Sequence, residues 1–299
     1  MNVSLWLPSE PGHFKDIHDW NVFLRENITS IAKDQLNNKT IFSRAMFLLL
    51  NLIQESPNLS VSSLRVGSET CLRKMIDSTK LKAFIKIAQN SKVRLQVVLP
   101  PLAEADFAGF GLLQSLQEYS SSILVVANDL GTLYKARVEF QYDVIAGRLL
   151  WKRKRASRFF GDELSLISSN ELSEWQNITY PEWINFLGVV SLEIDLLPQG
   201  VLYSDERPCA IHFPWTFISY GRVCYIGSLE LKRLDKFKIT SPCNNECIRI
   251  QHAINDESHP VPILRSGKGV YCLCVPKDTT WTQNKSISNI IIDLRRSPG

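Results

Sequence analysis

Short apolar runs alternate with amphipathic stretches along the first two thirds of the chain. The runs have the length of strands, and the continuously apolar run at 122–129 is typical of a strand buried on both faces of a parallel sheet. The predicted strands span 3–7, 59–67, 93–100, 122–129, 143–150 and 189–196. The predicted helices span 18–36, 41–54, 78–90, 103–119, 131–140, and either 170–176 or 181–186. Thr40 is placed to cap the second helix.

This alternation of strands and helices favours an α/β fold built on a parallel sheet. We expect a parallel barrel of the TIM type, either complete or incomplete and distorted. A doubly wound sheet is the alternative. Both architectures gather functional residues at the carboxyl ends of the strands.

The character of the chain changes after residue 205. Residues 207–275 are rich in Cys, Pro and β-forming residues, and 263–275 predicts a hairpin. A last strand is predicted at 289–294. We therefore divide the chain into a barrel-like domain at 1–205 and a cysteine-rich β appendage at 206–299, which folds over the barrel mouth and completes a cysteine site.

Composition and charge exclude little. The chain is 44% hydrophobic and 21% charged, as is ordinary for a globular protein. Its longest apolar run, 45–53, is far shorter than a membrane helix, and the N-terminus has no signal-peptide pattern. We expect no membrane span and a cytoplasmic location. The net charge of +4 permits an anionic partner, and the basic run at 152–155 could contact RNA or form a solvated loop.

Four of the seven cysteines carry the strongest chemical pattern. Cys224 and Cys243 are separated by eighteen residues, Cys247 follows in a C-x3-C spacing, and Cys71 lies far upstream. Clustered cysteines in a reducing compartment favour metal binding over disulfides. We predict a four-cysteine cage for an iron–sulfur cluster or for zinc, since four thiolates suit both. The alternative is a set of buried structural thiols.

The remaining cysteines, Cys209, Cys272 and Cys274, are expected to be packing residues. Aromatic side chains at 213–220 are predicted to be exposed, either at an interface or as a cover over the cysteine site.

A second set of candidates lies at or near the ends of apolar strands and could bind substrate: Asn128, Asp129, Arg148, Glu193 and His212. Asn128 and Asp129 could instead cap the next helix. Arg148 requires a partner within its apolar strand, either a substrate carboxylate or an acid of this chain. Glu193 and Asp195 share one face of their strand and are the candidate acids. His212 lines the pocket or is a satisfied buried histidine.

Five segments, in order, resemble the peptidase U32 family. VGSETC at 66–71 is similar to the family's segment that ends in a cysteine, and VVANDLGTL at 125–133 to its strand with an Asn-Asp pair. VIAGRLL at 144–150, with the basic stretch after it, resembles the Gly-Arg-Leu-Leu segment, and VSLEIDLLPQ at 190–199 resembles the acidic strand. The three C-terminal cysteines resemble the family's set. The cysteine pattern is most like that of members that act as accessory proteins in ubiquinone biosynthesis.

The resemblance implies a [4Fe–4S] cluster on Cys71, Cys224, Cys243 and Cys247, and a heterodimer with a related U32 subunit. It implies support for oxygen-independent hydroxylation of a small aromatic or quinone precursor, with prephenate as oxygen donor. Hydroxylation of RNA bases, and a non-catalytic subunit with a structural cluster, are the alternatives. Peptidase activity has no support, because the chain contains no HExxH, GxSxG or P-loop motif.

Overall fold

The structure is a computed structural model. It describes residues 1–8, 10–14, 17–35, 40–102, 108–115, 117–151, 182–197, 207–221, 223–232, 234–236, 243, 246–248, 250–254, 263–273 and 287–294. The predicted helix at 170–176, the basic run at 152–155 and Cys274 lie outside these residues.

Strands and helices alternate through the first part of the described chain. The elements in order are β1 (Asn2–Trp6), α1 (Trp20–Gln35), α2 (Ile41–Glu55), β2 (Ser60–Gly67), α3 (Ser78–Asn90), β3 (Arg94–Leu99), α4 (Ala108–Ser115), β4 (Ile123–Ala127), α5 (Leu130–Tyr134), β5 (Asp143–Ala146), α6 (Trp183–Phe186) and β6 (Ser191–Asp195). The later part is made of strands β7 (Cys209–Phe213), β8 (Trp215–Tyr220), β9 (His252–Ile254), β10 (Ile263–Ser266), β11 (Gly269–Leu273) and β12 (Ile287–Asp293).

Eight of these strands form a closed barrel in the order β1-β12-β7-β6-β5-β4-β3-β2, and all of its strand pairs are parallel. The TIM-type prediction is therefore confirmed, and the barrel is closed rather than incomplete. The other four strands form an antiparallel sheet in the order β8-β11-β10-β9, which we call the mouth sheet. No described helix combines the length and the apolar character that crossing a membrane requires.

The predicted domain boundary at residue 205 does not coincide with the edge of the barrel. β7 and β12 both follow that boundary, yet both are barrel strands, and the mouth sheet is inserted between them. The composition changes after residue 205 because of this insertion. The short barrel strand β7 lies just before the insertion, so the change of composition prevented its prediction from the sequence. The predicted strand at 289–294 corresponds to β12, the eighth strand of the barrel.

Helix α2 shows how the local sequence builds the outer layer. Thr40 caps it by accepting the backbone N–H of Ser43 at 3.1 Å, as predicted. Its buried residues recur at helical spacing: Ile41, Ala45, Met46, Leu49, Leu52 and Ile53. This apolar stripe packs into the core between the barrel and its helices.

The barrel interior is a separate core with an unusual polar content. Its apolar members are Trp6, Val98, Leu124, Val126, Ile145, Ala210 and Ile291. Buried polar and charged residues lie on barrel strands β1, β2, β3, β6 and β7: Ser4, Ser63, Arg65, Gln96, Glu193, Asp195 and His212. TIM-barrel interiors are mostly filled by branched aliphatic side chains, so these buried charges require partners inside the protein.

Gly67, at the end of β2, gives a test of the barrel geometry. Its φ of 98° lies in the left-handed region, and a Cβ there would overlap the carbonyl oxygen of Val98 on β3. We expect Gly67→Ala to lower the free energy of unfolding by about 1–3 kcal/mol, measured by urea denaturation. Gly111→Ala is the control, because Gly111 is in a helix with no heavy atom within 4 Å of the added Cβ.

The control substitution should raise the free energy of unfolding by about 0.5–1 kcal/mol, since alanine favours helix more than glycine does. Equal effects of the two substitutions would contradict the close approach of β2 and β3.

Candidate functional site

A buried ion network closes the carboxyl end of the barrel. Arg148, in a 3-10 turn just after β5, donates from Nε and Nη2 to the two carboxylate oxygens of Glu69 at 2.8 and 2.7 Å. Its Nη1 donates to Asp195 Oδ1 at 2.7 Å and to the carbonyl oxygen of Trp215 at 2.9 Å. Burial opposes the charge, but Glu69 and Asp195 raise the pKa of Arg148 well above its usual value. Arg148 is thus held by acids of its own chain.

The mouth sheet takes part in this network. Tyr271 on β11 donates its hydroxyl to Glu69 at 3.0 Å, and the backbone N–H of Phe217 on β8 donates to Asp195 at 3.0 Å. The rings of Phe217 and Tyr271 lie 5.8 and 5.5 Å from the Arg148 guanidinium carbon. The predicted fold of the appendage over the barrel mouth agrees with these contacts.

The aromatic segment at 213–220 is mostly buried, which corrects the predicted exposure. Phe213, Trp215 and Phe217 are all less than a tenth exposed, whereas Tyr220 is 43% exposed. The exposure is predicted because aromatic residues of this kind are enriched at interfaces and pocket walls. In the structure Phe213 ends barrel strand β7, the Trp215 ring packs against Phe42 of α2, and the Phe217 ring lies beside Arg148.

A second ion network lies on inward-facing strand positions. Arg65 on β2 forms a two-pronged pair with Glu193 on β6, through a short Nη1 bond and an Nη2 bond of 3.0 Å. Arg65 Nη1 also donates to Gln96 Oε1 at 2.9 Å, and the guanidinium carbon of Arg65 lies 4.5 Å from the centroid of the Trp6 ring. His212 Nε2 is 3.1 Å from Glu193 Oε2.

The charges in this network follow from burial and pairing. Burial alone would raise the pKa of Glu193, but the charge of Arg65 and the hydrogen bond from His212 outweigh it and bring the pKa to about 2. Burial and the charge of Arg148 lower the pKa of His212. A neutral His212 therefore donates Nε2–H to the Glu193 carboxylate, which is the satisfied-histidine alternative of the sequence analysis.

The Asn128–Asp129 pair has a structural role in the described chain. Asp129 caps α5, accepting the backbone N–H of Thr132 at 2.8 Å and its hydroxyl at 2.5 Å. Asn128 donates to the carbonyl oxygen of Leu99 at 2.9 Å and so joins the ends of β3 and β4. The capping alternative holds for Asp129, and Asn128 ties neighbouring strands.

Three of the four predicted ligand cysteines converge between β8 and β9. A Cβ on Gly227 would lie 3.1 Å from Cys243 Sγ and 3.5 Å from Cys224 Sγ, so both thiols face this glycine. Cys224 Sγ accepts the Gly227 backbone N–H at 3.3 Å and a hydrogen bond from the Cys247 thiol. The described part of the chain leaves these cysteines without disulfides.

The pKa values of Cys224 and Cys247 shift in opposite directions. The hydrogen bond from Cys247 lowers the pKa of Cys224 to about 6, and the Gly227 N–H and the charge of Lys74 act in the same direction against burial. The same thiol–thiol bond and burial raise the pKa of Cys247. The hydrogen bond therefore favours the thiolate on Cys224, the form that binds metals.

Cys71 lies on the segment that reaches this group. It is buried in the turn after β2, and the carbonyl oxygen of Cys71 accepts the backbone N–H of Lys74 at 3.2 Å. Lys74 Nζ in turn donates to the carbonyl oxygen of Cys247 at 3.3 Å. The segment carrying Cys71 and the turn carrying Cys247 are thus in contact.

The cysteine group suits a thiolate-bound cofactor by its donor chemistry. The thiols of Cys224 and Cys243 face Gly227, and Cys247 is hydrogen-bonded to Cys224. Cys71 lies on the segment that contacts the Cys247 turn through Lys74. Within the described ranges, no three or more His, Cys, Asp or Glu side chains stand together as a set that could hold a metal ion. Cys209 and Cys272 are buried in β7 and β11, as expected of packing residues.

Sequence reasoning missed four residues that shape the site. Arg65 and Glu69 lie on or just after β2, Tyr271 on β11, and Lys74 three residues after Cys71. A charged residue alternating with apolar ones was visible at Arg65, the same pattern that marked Glu193. Glu69, Tyr271 and Lys74 carried no comparable pattern, because their partners lie far away in the sequence.

The Arg65–Glu193 pair predicts a stability effect with a defined pH window. Glu193→Gln should lower the free energy of unfolding by about 3–5 kcal/mol at pH 7, because Arg65 stays buried without its counter-charge. The folded-state pKa of Glu193 is depressed from 4.5 to about 2. The stabilisation is therefore complete above about pH 4.5 and is lost as the pH falls through about 2, so the gap between wild type and variant should narrow there.

Urea denaturation across this pH range measures the difference in the free energy of unfolding between the wild type and Glu193→Gln. Glu10→Gln is the control, since Glu10 forms an exposed pair with Lys80. Removing that surface pair should change the free energy of unfolding by less than about 1 kcal/mol. A Glu193→Gln effect no larger than the control's would contradict a buried pair.

Comparison with known proteins adds no relative to this picture. No protein-family model matches the chain, and neither a curated protein nor a solved structure does.

Proposed function

We propose that this protein is an iron–sulfur protein of the U32 type that supports an oxygen-independent hydroxylation in quinone biosynthesis. The observation that carries the proposal is the proximity of the Cys224 and Cys243 thiols at Gly227 and the hydrogen bond from Cys247 to Cys224. The segment of Cys71 contacts the Cys247 turn through Lys74. Four thiolates are the usual ligand set of a [4Fe–4S] cluster. The site adjoins the mouth of a parallel barrel, where barrel enzymes hold their functional residues.

In this proposal the four cysteines hold the cluster, which supplies one-electron redox chemistry when bound. The thiolate on Cys224 provides a first ligand at neutral pH. The substrate is a small aromatic or quinone precursor, and prephenate is the oxygen donor that the sequence resemblance implies. A related U32 subunit is the partner, and a reducing compartment such as the cytoplasm suits free thiols.

A non-catalytic subunit with a structural cluster is the second candidate. It is favoured by the state of the barrel mouth, where Arg148, Glu69, Asp195 and Tyr271 bind one another in the described structure. Because these side chains bind one another within the chain, the reacting atoms would belong to the partner subunit. RNA-base hydroxylation rests on the basic run at 152–155, outside the described residues, and is the weaker alternative.

Metal analysis of anaerobically prepared protein tests the cofactor. We expect about four irons and four sulfides per chain, with broad charge-transfer absorption in the visible region. Cys71→Ser, Cys224→Ser, Cys243→Ser and Cys247→Ser should each lose most of the iron. Cys272→Ser is the control, since Cys272 is buried in the mouth sheet, as Cys71 and Cys247 are buried in their segments, and it should keep the iron.

Full iron retention in the Cys243→Ser variant would refute the ligand set. One zinc per chain without iron would retain the four-cysteine site and remove the redox role, because zinc has no redox chemistry.

The partner requirement has its own test. We expect the loaded chain alone to leave a quinone precursor unchanged under anaerobic conditions with prephenate, and a co-purified complex with a related U32 subunit to hydroxylate it. Mass spectrometry of the extracted precursor measures the added oxygen. Hydroxylation by the isolated chain at the rate of the complex would rule out both the partner requirement and the non-catalytic alternative.

A further inference from the structure

We propose that Lys74 joins the two parts of the cysteine site and balances the charge of the group bound there. This inference rests on the proposed function, because it assigns a role toward the cluster held by the four cysteines. Lys74 is hydrogen-bonded to Cys71 through its backbone and to Cys247 through its side chain. These two cysteines belong to segments that are far apart in the sequence.

Lys74 tethers the two segments through two hydrogen bonds. The Lys74 backbone N–H donates to the carbonyl oxygen of Cys71 at 3.2 Å, and Nζ donates to the carbonyl oxygen of Cys247 at 3.3 Å, across a separation of 173 residues. A Cβ on Gly267 would lie 3.4 Å from Cys247 Sγ and 3.5 Å from Lys74 Nζ. The thiol and the ammonium group therefore share the space that a side chain at position 267 would fill.

The position of Nζ gives the tether an electrostatic consequence. A cluster on four thiolates is anionic, and it becomes more negative when it accepts an electron. A positive charge held beside the Cys247 thiol would stabilise the reduced state more than the oxidised state. Net charge and hydrogen bonding near the sulfurs set cluster potentials. Lys74 is only partly exposed, so solvent screens this interaction less than it would at the surface.

Three substitutions separate the tether from the charge. Lys74→Arg keeps both a donor and a positive charge, Lys74→Gln keeps a donor without the charge, and Lys74→Met removes both. Lys82→Met is the control, because Lys82 is a half-exposed lysine on α3 paired with Glu118 at 3.4 Å. Iron and sulfide are counted in each anaerobic preparation before any other measurement.

The midpoint potential tests the charge. Dithionite, the one-electron donor, reduces each holoprotein in the presence of redox mediators, and electron paramagnetic resonance follows the reduced cluster. We expect Lys74→Gln and Lys74→Met to disfavour reduction about tenfold, a fall of about 59 mV for one electron. Lys74→Arg and Lys82→Met should keep the wild-type potential. Unchanged potentials in both uncharged variants at full iron content would overturn the charge role.

Hydrogen exchange of the metal-free proteins tests the tether without the cluster. Peptides covering 68–75 should exchange several-fold faster in Lys74→Met than in wild type, and at the wild-type rate in Lys74→Arg and Lys82→Met. The same rate in Lys74→Met as in wild type would overturn the tether.

The two measurements also separate this inference from the proposed function. A wild-type protein without iron would refute the proposed cofactor and, with it, the charge role, and the exchange rates would then decide the tether alone. A loaded wild-type cluster with no Lys74 effect on potential or exchange would leave the proposed function standing and refute the role of Lys74.

Discussion

The buried pairing of Arg148 with Glu69 and Asp195 is the interaction on which the rest of the site depends. A guanidinium and two carboxylates removed from water are costly unless each meets a charged partner in good geometry. Here the two-pronged bond to Glu69 and the bond to Asp195 supply that geometry. The chain can bury these charges only when β2, β5 and β6 are all in place, so the network requires the closed barrel.

Glu69 links this network to the cysteine group. It lies two residues before Cys71, and its carboxylate is held by Arg148 on one side and by the Tyr271 hydroxyl on the other. Tyr271 belongs to β11, and the turn before β11 contains Gly267, beside Cys247. The Glu69 carboxylate therefore holds the start of the segment that carries Cys71. It also holds β11, the strand that follows Gly267 beside Cys247.

This arrangement explains how the segment of Cys71 and the turn of Cys247, which are far apart in the sequence, come into contact. The carboxyl ends of parallel strands share one mouth, which brings the turn after β2 to the same end as the segment after β7. The mouth sheet is inserted at that point and is bound to the barrel through main-chain and side-chain contacts with Arg148 and Asp195.

The sequence by itself determined the features that depend on local periodicity. Apolar runs predict every barrel strand except β7, Thr40 and Asp129 stand at helix starts, and the alternation of side chains places Glu193 and Asp195 on one face. The sequence did not determine which charged side chains pair. It predicted a pair of Arg148 with Glu193 or Asp195. Arg148 pairs with Asp195 and with Glu69, while Glu193 binds Arg65. The eighth strand at Ile287–Asp293 closes the barrel only after the mouth sheet has been inserted. The alternating pattern of a strand determines which face a side chain occupies. Barrel closure and strand register determine which distant charged residue that side chain meets, and only the tertiary structure provides the closure and the register.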